Sequence, residues 1–313
     1  MAVRKYISEF GLNMVNGACL LLQQEHLDQI DHAGIDPHIY VIGRRPRITL
    51  NPQSVKVQPD RISGEFLKQV KGESITIPFN ALNRLSTNSV RLKCEYPYTE
   101  FAFVDDQGKS ILQGKSAMLL GVLGSEYWEH LDLEVLYIGQ AYGKEGSRTA
   151  ADRLKQHETL QGIYAEAIRR SPDQEVWIVV SEFEPLLLAS IDGRSTEFTT
   201  TTEEDDEHIK TVTSTQITEQ QMINFTEAAL IKYFQPLYNK IFKDTFPNPA
   251  HSTYSECYDI DLNMVSVEFQ TEVLRLRLWS EAVQPSWIHF CSFPLHSREE
   301  RQYMFDIEGI KLI

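Results

Sequence analysis

The chain has 313 residues with 42% hydrophobic and 24% charged content, which is ordinary globular composition and long enough for a large core and more than one domain. No run of about 18 uncharged apolar residues occurs, so no membrane span is expected. The patch Ala18 to Leu22 is too short for a signal-peptide core, and the widely spaced Cys19, Cys94, Cys257 and Cys291 form neither a zinc motif nor a disulfide framework; a cytoplasmic protein with buried free thiols is the expectation.

Residues 7 to 34 hold enough apolar side chains for one helix, Gln23 to Ile30, after an irregular start. His38 to Ile42 reads as a strand stopped by Gly43 and Pro46. Arg44, Arg45 and Arg47 then read as a basic loop, a solvated surface by default and a nucleic-acid contact as the alternative. Ile48 to Leu50, Val55 to Val57, Ser74 to Ile77, Val90 to Cys94 and Glu100 to Val104 are further short strands between turn residues. Asp105-Asp106-Gln107-Gly108 is a hairpin turn. Residues 1–117 are thus expected to be a β-rich accessory region with one helix.

From Met118 the texture changes, and Met118 to Val122 reads as a strand. Glu134 to Ile138 is a strand by its Val, Leu, Tyr and Ile content, and Gly139 ends it. After a Gly-containing loop, Thr149 to Leu160 reads as a helix capped by Thr149, with the pattern continuing toward Arg170. Glu175 to Val180 is nearly all apolar, as in a central strand buried on both faces. Leu186 to Ile191 is a strand or a short helix. Thr199 to Thr218 is Thr-rich, contains Glu203-Glu204-Asp205-Asp206-Glu207 and lacks apolar periodicity, so it reads as an exposed, mobile insertion. Thr218 opens a helix through Phe234, with Pro236 beyond its end. Residues 244–313 return to β texture at Met264 to Phe269, Val273 to Trp279 and Trp287 to Phe293. These strands either pair with the N-terminal ones or form a separate small sheet.

Four places carry candidate chemistry. Glu227 lies among Ile223, Leu230, Ile231 and Phe234 on one helical face. A carboxylate there is costly unless it is paired or holds a cation, and a boundary carboxylate that reaches solvent or pairs with an Arg is the plainer reading. Arg153 and His157 are four apart and share a face. The guanidinium suits phosphoryl charge and the imidazole suits proton transfer, although such a pair is common on any polar helix face. Tyr137 ends its strand beside Gly139. Asn239 follows Pro236, where its amide either fixes the loop near Glu227 or caps a turn.

Taken in order, Leu136-Tyr137-Ile138-Gly139-Gln140, then Arg153 and His157, then Glu227 through Gln235-Pro236-Leu237-Tyr238-Asn239, the chain resembles the GIY-YIG nuclease domain over residues 118 to 243. The resemblance implies an α/β (α+β) fold, a small mixed sheet flanked by helices. It also implies a metal-dependent endonuclease with Tyr137, Arg153, His157, Glu227 and Asn239 in the site, Glu227 as ligand to Mg²⁺ or Mn²⁺, and nucleic acid, expected to be DNA, as partner. A catalytically reduced module that binds nucleic acid or a protein is the alternative. Two features cut against the enzyme. The net charge of −14 opposes phosphate binding, although between Tyr137 and Arg170 six basic residues face four acids. The family's first strand ends in Gly-Ile-Tyr, with a tyrosine that helps activate water, and no such strand precedes Tyr137. The literal Gly162-Ile163-Tyr164 falls inside the expected helix, and Tyr127 lies in surroundings unlike a strand.

Overall fold

The computed structural model describes residues 3–85, 89–141, 154, 158–192 and 197–306. In chain order it holds β1 (Ser8–Leu22), a short α1 (Gln29–Ala33), β2 (Ile39–Pro46), β3 (Ile48–Leu50), β4 (Lys56–Val57), β5 (Arg61–Val70), β6 (Glu73–Leu82), β7 (Arg91–Lys93), β8 (Glu100–Val104), β9 (Ser110–Lys115) and α2 (Ser116–Leu123). Then come β10 (Leu133–Gln140), α3 (Glu158–Arg170), β11 (Gln174–Ile191), α4 (Thr202–Ser214), α5 (Glu219–Phe234), α6 (Glu256–Asp259), β12 (Met264–Gln270), β13 (Leu278–Trp279) and β14 (Ile288–Pro294). The fold is mixed α/β with strands dominating. No helix among the described residues is long and apolar enough to cross a membrane.

One seven-stranded sheet organises the molecule, in the order β13-β10-β2-β11-β1-β12-β14. β1/β12 and β10/β13 are parallel, and the other pairs are antiparallel. β11 takes the middle place that its continuous apolar run implies, with Val176 to Val180 all buried. The sheet draws strands from all three stretches 1–117, 118–243 and 244–313, so the secondary structure does not segregate at those boundaries. Of the two arrangements open for the last strands, β12 pairs with β1. The segment β3 to β9 is an insertion between the neighbouring strands β2 and β10, and it forms two small sheets of its own.

Alternation of side chains separates two apolar layers. Ile39, Val41, Val135, Ile138, Trp177 and Val179 join one cluster with Ile223, Leu230, Ile231 and Phe234 of α5. Tyr40, Ile42, Leu136, Val176, Ile178 and Val180 join another with Leu154 and with Leu160 and Ile163 of α3. The two helices therefore cover opposite faces of the same strands.

Several expectations are corrected. The irregular start before Gln23 is the 15-residue strand β1; its Asn13 is buried and accepts from Ser266 Oγ at 2.6 Å, which gives its side-chain oxygen a partner inside the sheet. The expected helix Gln23 to Ile30 is reduced to a 3-10 turn and the five-residue α1. Met118 to Val122 is helical, within α2, and most of Val273 to Trp279 lies outside a strand. Arg44 and Arg45 belong to β2 rather than to a loop. Arg44 makes a bidentate pair with Glu134 at 2.7 and 3.0 Å, and Arg45 is buried over the Trp177 ring at 4.1 Å. The acidic stretch 199–218 holds the helix α4, with a Thr201/Glu204 capping box. Asp205, His208 and Val212 form its buried side. Asp205 accepts from the Ser8 N–H at 3.1 Å, and the His208 ring stacks on Tyr6 with centroids 3.8 Å apart.

Candidate active site

β2 and β10 run antiparallel, with Tyr40 opposite Gly139, Val41 opposite Ile138 and Ile42 opposite Tyr137. The register slips between Val135 and Tyr137, leaving Leu136 as an extra residue. Such a bulge re-aims the side chains that follow it. Strict alternation from Val135 would send Tyr137 toward α5. The bulge turns it instead onto the face that carries Tyr40. The two phenol rings lie 6.0 Å apart and stacked, 29° between planes. Tyr40 is 2% exposed and Tyr137 is half-buried.

Gly139 makes this arrangement possible. A Cβ on it would stand 2.4 Å from Tyr40 Oη, 2.6 Å from Tyr40 Cζ and 2.9 Å from Tyr137 Cε1. Only a residue without a side chain lets both rings close over the strand.

One residue further, Gln140 returns to the α5 face. Its Nε2 donates to Glu227 Oε2 at 2.7 Å and to Asn224 Oδ1 at 2.8 Å. Gln220 Nε2 donates to Asn224 Oδ1 at 3.0 Å. Gln220, Asn224 and Glu227 are a polar stripe on α5, whose remaining sides bury Ile223, Phe225, Ala228, Leu230 and Phe234. Glu227 thus borders the apolar stripe read from the sequence and belongs equally to this polar one.

Asn239 is a strand-edge clamp. Its Oδ1 accepts from Ile138 N–H at 2.9 Å and its Nδ2 donates to Ile138 C=O at 2.8 Å, while Tyr238 N–H donates to Leu136 C=O at 3.0 Å. The loop after α5 thereby pairs with β10 like a further strand, and fixing that loop is the role Asn239 serves. Tyr238 Oη donates to Glu166 Oε2 at 2.6 Å; burial and this bond push its pKa up to about 12.

On the other side of the strand end, His38 Nδ1 accepts from Phe183 N–H at 3.0 Å, and its Nε2 lies 3.5 Å from Glu219 of α5. The end of β10 and the start of β2 therefore carry two separate groups, Tyr40 and Tyr137 on the α3 face and Gln140 and Glu227 on the α5 face, with His38 reaching Glu219. Tyr137 and Gln140 are on opposite faces but only three residues apart. Arg153 and His157 lie outside the described residues; Leu154 between them is buried in the cluster that contains Tyr40 and Leu136.

Among the described residues no group of three or more His, Cys, Asp or Glu side chains could hold a metal ion. Among the described residues the ligand that Glu227 offers is its single carboxylate, whose Oε2 accepts from Gln140 Nε2, while the Asn224 and Gln140 amide oxygens accept from neighbouring amide N–H groups. That chemistry fits a hard, water-carrying cation such as Mg²⁺ or Mn²⁺ and not a structural zinc. Tyr40 does not stand out in the sequence, because no local spacing links it to Tyr137. The usable signal was Ile39-Tyr40 in a strand with an apolar run, 97 positions earlier.

No protein-family model, no curated protein and no solved structure matches this chain.

Proposed function

We propose that the chain is a metal-dependent endonuclease of the GIY-YIG type that hydrolyses phosphodiester bonds, with DNA as the expected substrate. The observation that carries this reading is the stacked Tyr40–Tyr137 pair over Gly139. It supplies a first-strand tyrosine beside the Tyr-Ile-Gly strand, the element whose absence from the sequence weakened the resemblance. The family's two strands are then β2 and β10, and the β3 to β9 segment is an insertion between them.

In this reading a phosphate sits at the end of β10, with the tyrosines on one face of the strand and Glu227 on the other. Tyr40 and Tyr137 orient the attacking water through their hydroxyls and relay its proton, each accepting it while passing its own proton on toward His157. Arg153 neutralises charge on the non-bridging oxygens, and His157 shares the proton transfer. Glu227 would hold the Mg²⁺ or Mn²⁺ ion, which when bound supplies positive charge at the leaving oxygen. Asn239 keeps the β10 end and the α5 exit in register.

The test is cleavage of supercoiled plasmid and of single-stranded DNA and RNA with Mg²⁺ or Mn²⁺. Wild type is expected to cut DNA, Glu227→Gln to lose cation-dependent cutting, and Tyr40→Phe to slow by about 10²-fold or more. No cutting of any substrate by the wild type, or equal cutting by Glu227→Gln, would refute the reading.

A further inference from the structure

We propose that Gln140 is the positioning residue that aims the Glu227 carboxylate at its cation, an inference that rests on the nuclease reading above. The argument is one of hydrogen-bond direction. An amide side chain has a donor end and an acceptor end, and the partners decide which way it faces. Asn224 Nδ2 donates to the Thr253 C=O at 2.8 Å, and a carbonyl can only accept. That contact fixes Asn224 with Oδ1 turned toward β10. Oδ1 then receives Gln140 Nε2 at 2.8 Å and Gln220 Nε2 at 3.0 Å. Gln140 in turn cannot present its oxygen to Asn224, so its Nε2 faces both Asn224 and Glu227. Gln220 Nε2 also reaches Gln140 Oε1, at 3.4 Å, from the opposite end.

The chain of amides is therefore directional. It starts at a backbone carbonyl and ends with a donor placed 2.7 Å from Glu227 Oε2. A carboxylate held by a fixed donor at one oxygen keeps one rotamer, which removes the entropy cost of ordering it when a cation arrives. Gln140 is anchored in the sheet and not in a loop, since it pairs with Ile39 of β2. Its position is thus set by the same strand that sets Tyr137 and Gly139, and the tyrosines and the carboxylate share one frame.

The test measures Mn²⁺ binding directly, by the loss of the free-ion electron paramagnetic resonance signal, beside the metal dependence of plasmid cleavage. Three proteins are compared: wild type, Glu227→Gln and Gln140→Met, the last close in size but without a donor. Wild type is expected to bind Mn²⁺ and Glu227→Gln not to bind. Gln140→Met is expected to bind about tenfold more weakly, with an unchanged melting temperature and a cleavage midpoint shifted by the same factor. If Gln140→Met does not fold, Asn224→Leu removes the acceptor that orients Gln140 and should weaken binding in the same direction. Equal Mn²⁺ affinity in wild type and the folded variant would overturn the role of Gln140 while leaving the nuclease reading intact. A wild type that takes up no Mn²⁺ would overturn the cation assignment itself, and this inference with it.

Discussion

Replacing Gly139 by alanine isolates the contact on which the candidate site depends. Gly139 has no positive φ, so alanine brings no backbone strain and the whole effect is one of space. The added carbon would meet Tyr40 Oη at 2.4 Å and Tyr40 Cζ at 2.6 Å, against about 3.5–4.0 Å for relaxed carbon contacts. The Tyr40 ring must therefore retreat by roughly 1 Å, into a layer already filled by Ile42, Leu136 and Val180. Overpacking of this kind costs about 1–3 kcal/mol. With a urea m value of about 3 kcal/mol/M, a loss near 2 kcal/mol lowers the midpoint by about 0.7 M. A reacting group displaced by about 1 Å also costs roughly 10²-fold in rate, so plasmid cleavage should fall far more than the folded fraction does. Adding Tyr40→Phe removes the worst contact but leaves Cζ, and stability should recover only in part. A Gly139→Ala protein with wild-type midpoint and wild-type cleavage would refute both the packing argument and the placement of the site.

Deleting Thr200 to Lys210 should lower the melting temperature sharply, because it removes the capping box, Asp205 and the His208–Tyr6 stack; an unchanged melting curve would mean that α4 contributes nothing to the fold. Stability should also fall between about pH 6.5 and pH 4 through His289, which is 1% exposed and whose pKa burial lowers to about 4. In that window the unfolded chain holds the proton that the folded one excludes, so stability drops as pH falls, by up to about 3 kcal/mol. His289→Gln should flatten the slope of urea midpoint against pH, and identical slopes in the two proteins would refute the assignment.

How much of this was legible beforehand depended on local signals. Glu175 to Val180 announced a central strand because six consecutive residues are nearly all apolar, and β11 is the middle of the sheet. α5 announced its ends through Thr218 and the Pro236 that follows, and its limits are Glu219–Phe234. Tyr137, Glu227 and Asn239 stood out in the sequence as candidates, but their settings did not. The bulge at Leu136 that turns Tyr137 exists only in the pairing with β2. The amide stripe beside Glu227 needs Gln140, which is 87 positions away. β1 was hidden because Asn13, Asn16 and Gly17 look like turn residues, and the Asn13 and Asn16 side chains find partners in β12, 253 and 254 positions on. α4 was hidden by five consecutive acids, although Thr201 and Glu204 spell a capping box and Asp205, His208 and Val212 recur at helical spacing.

The insertion between β2 and β10 also bears on the order in which the chain folds. Gly139 and Tyr40 are direct neighbours across the ladder yet lie 99 positions apart. Closing so long a loop costs about 3 kcal/mol more chain entropy than closing a tight hairpin of about four residues. Much of that cost disappears if the intervening chain is already compact, and β5–β6 and β8–β9 are hairpins with local contacts that form early. The inserted sheets then act as a folded spacer that brings the two tyrosine strands within pairing distance. Substitutions that loosen the β5–β6 hairpin, far from any tyrosine, should slow the formation of the site in refolding more than they change its geometry once formed.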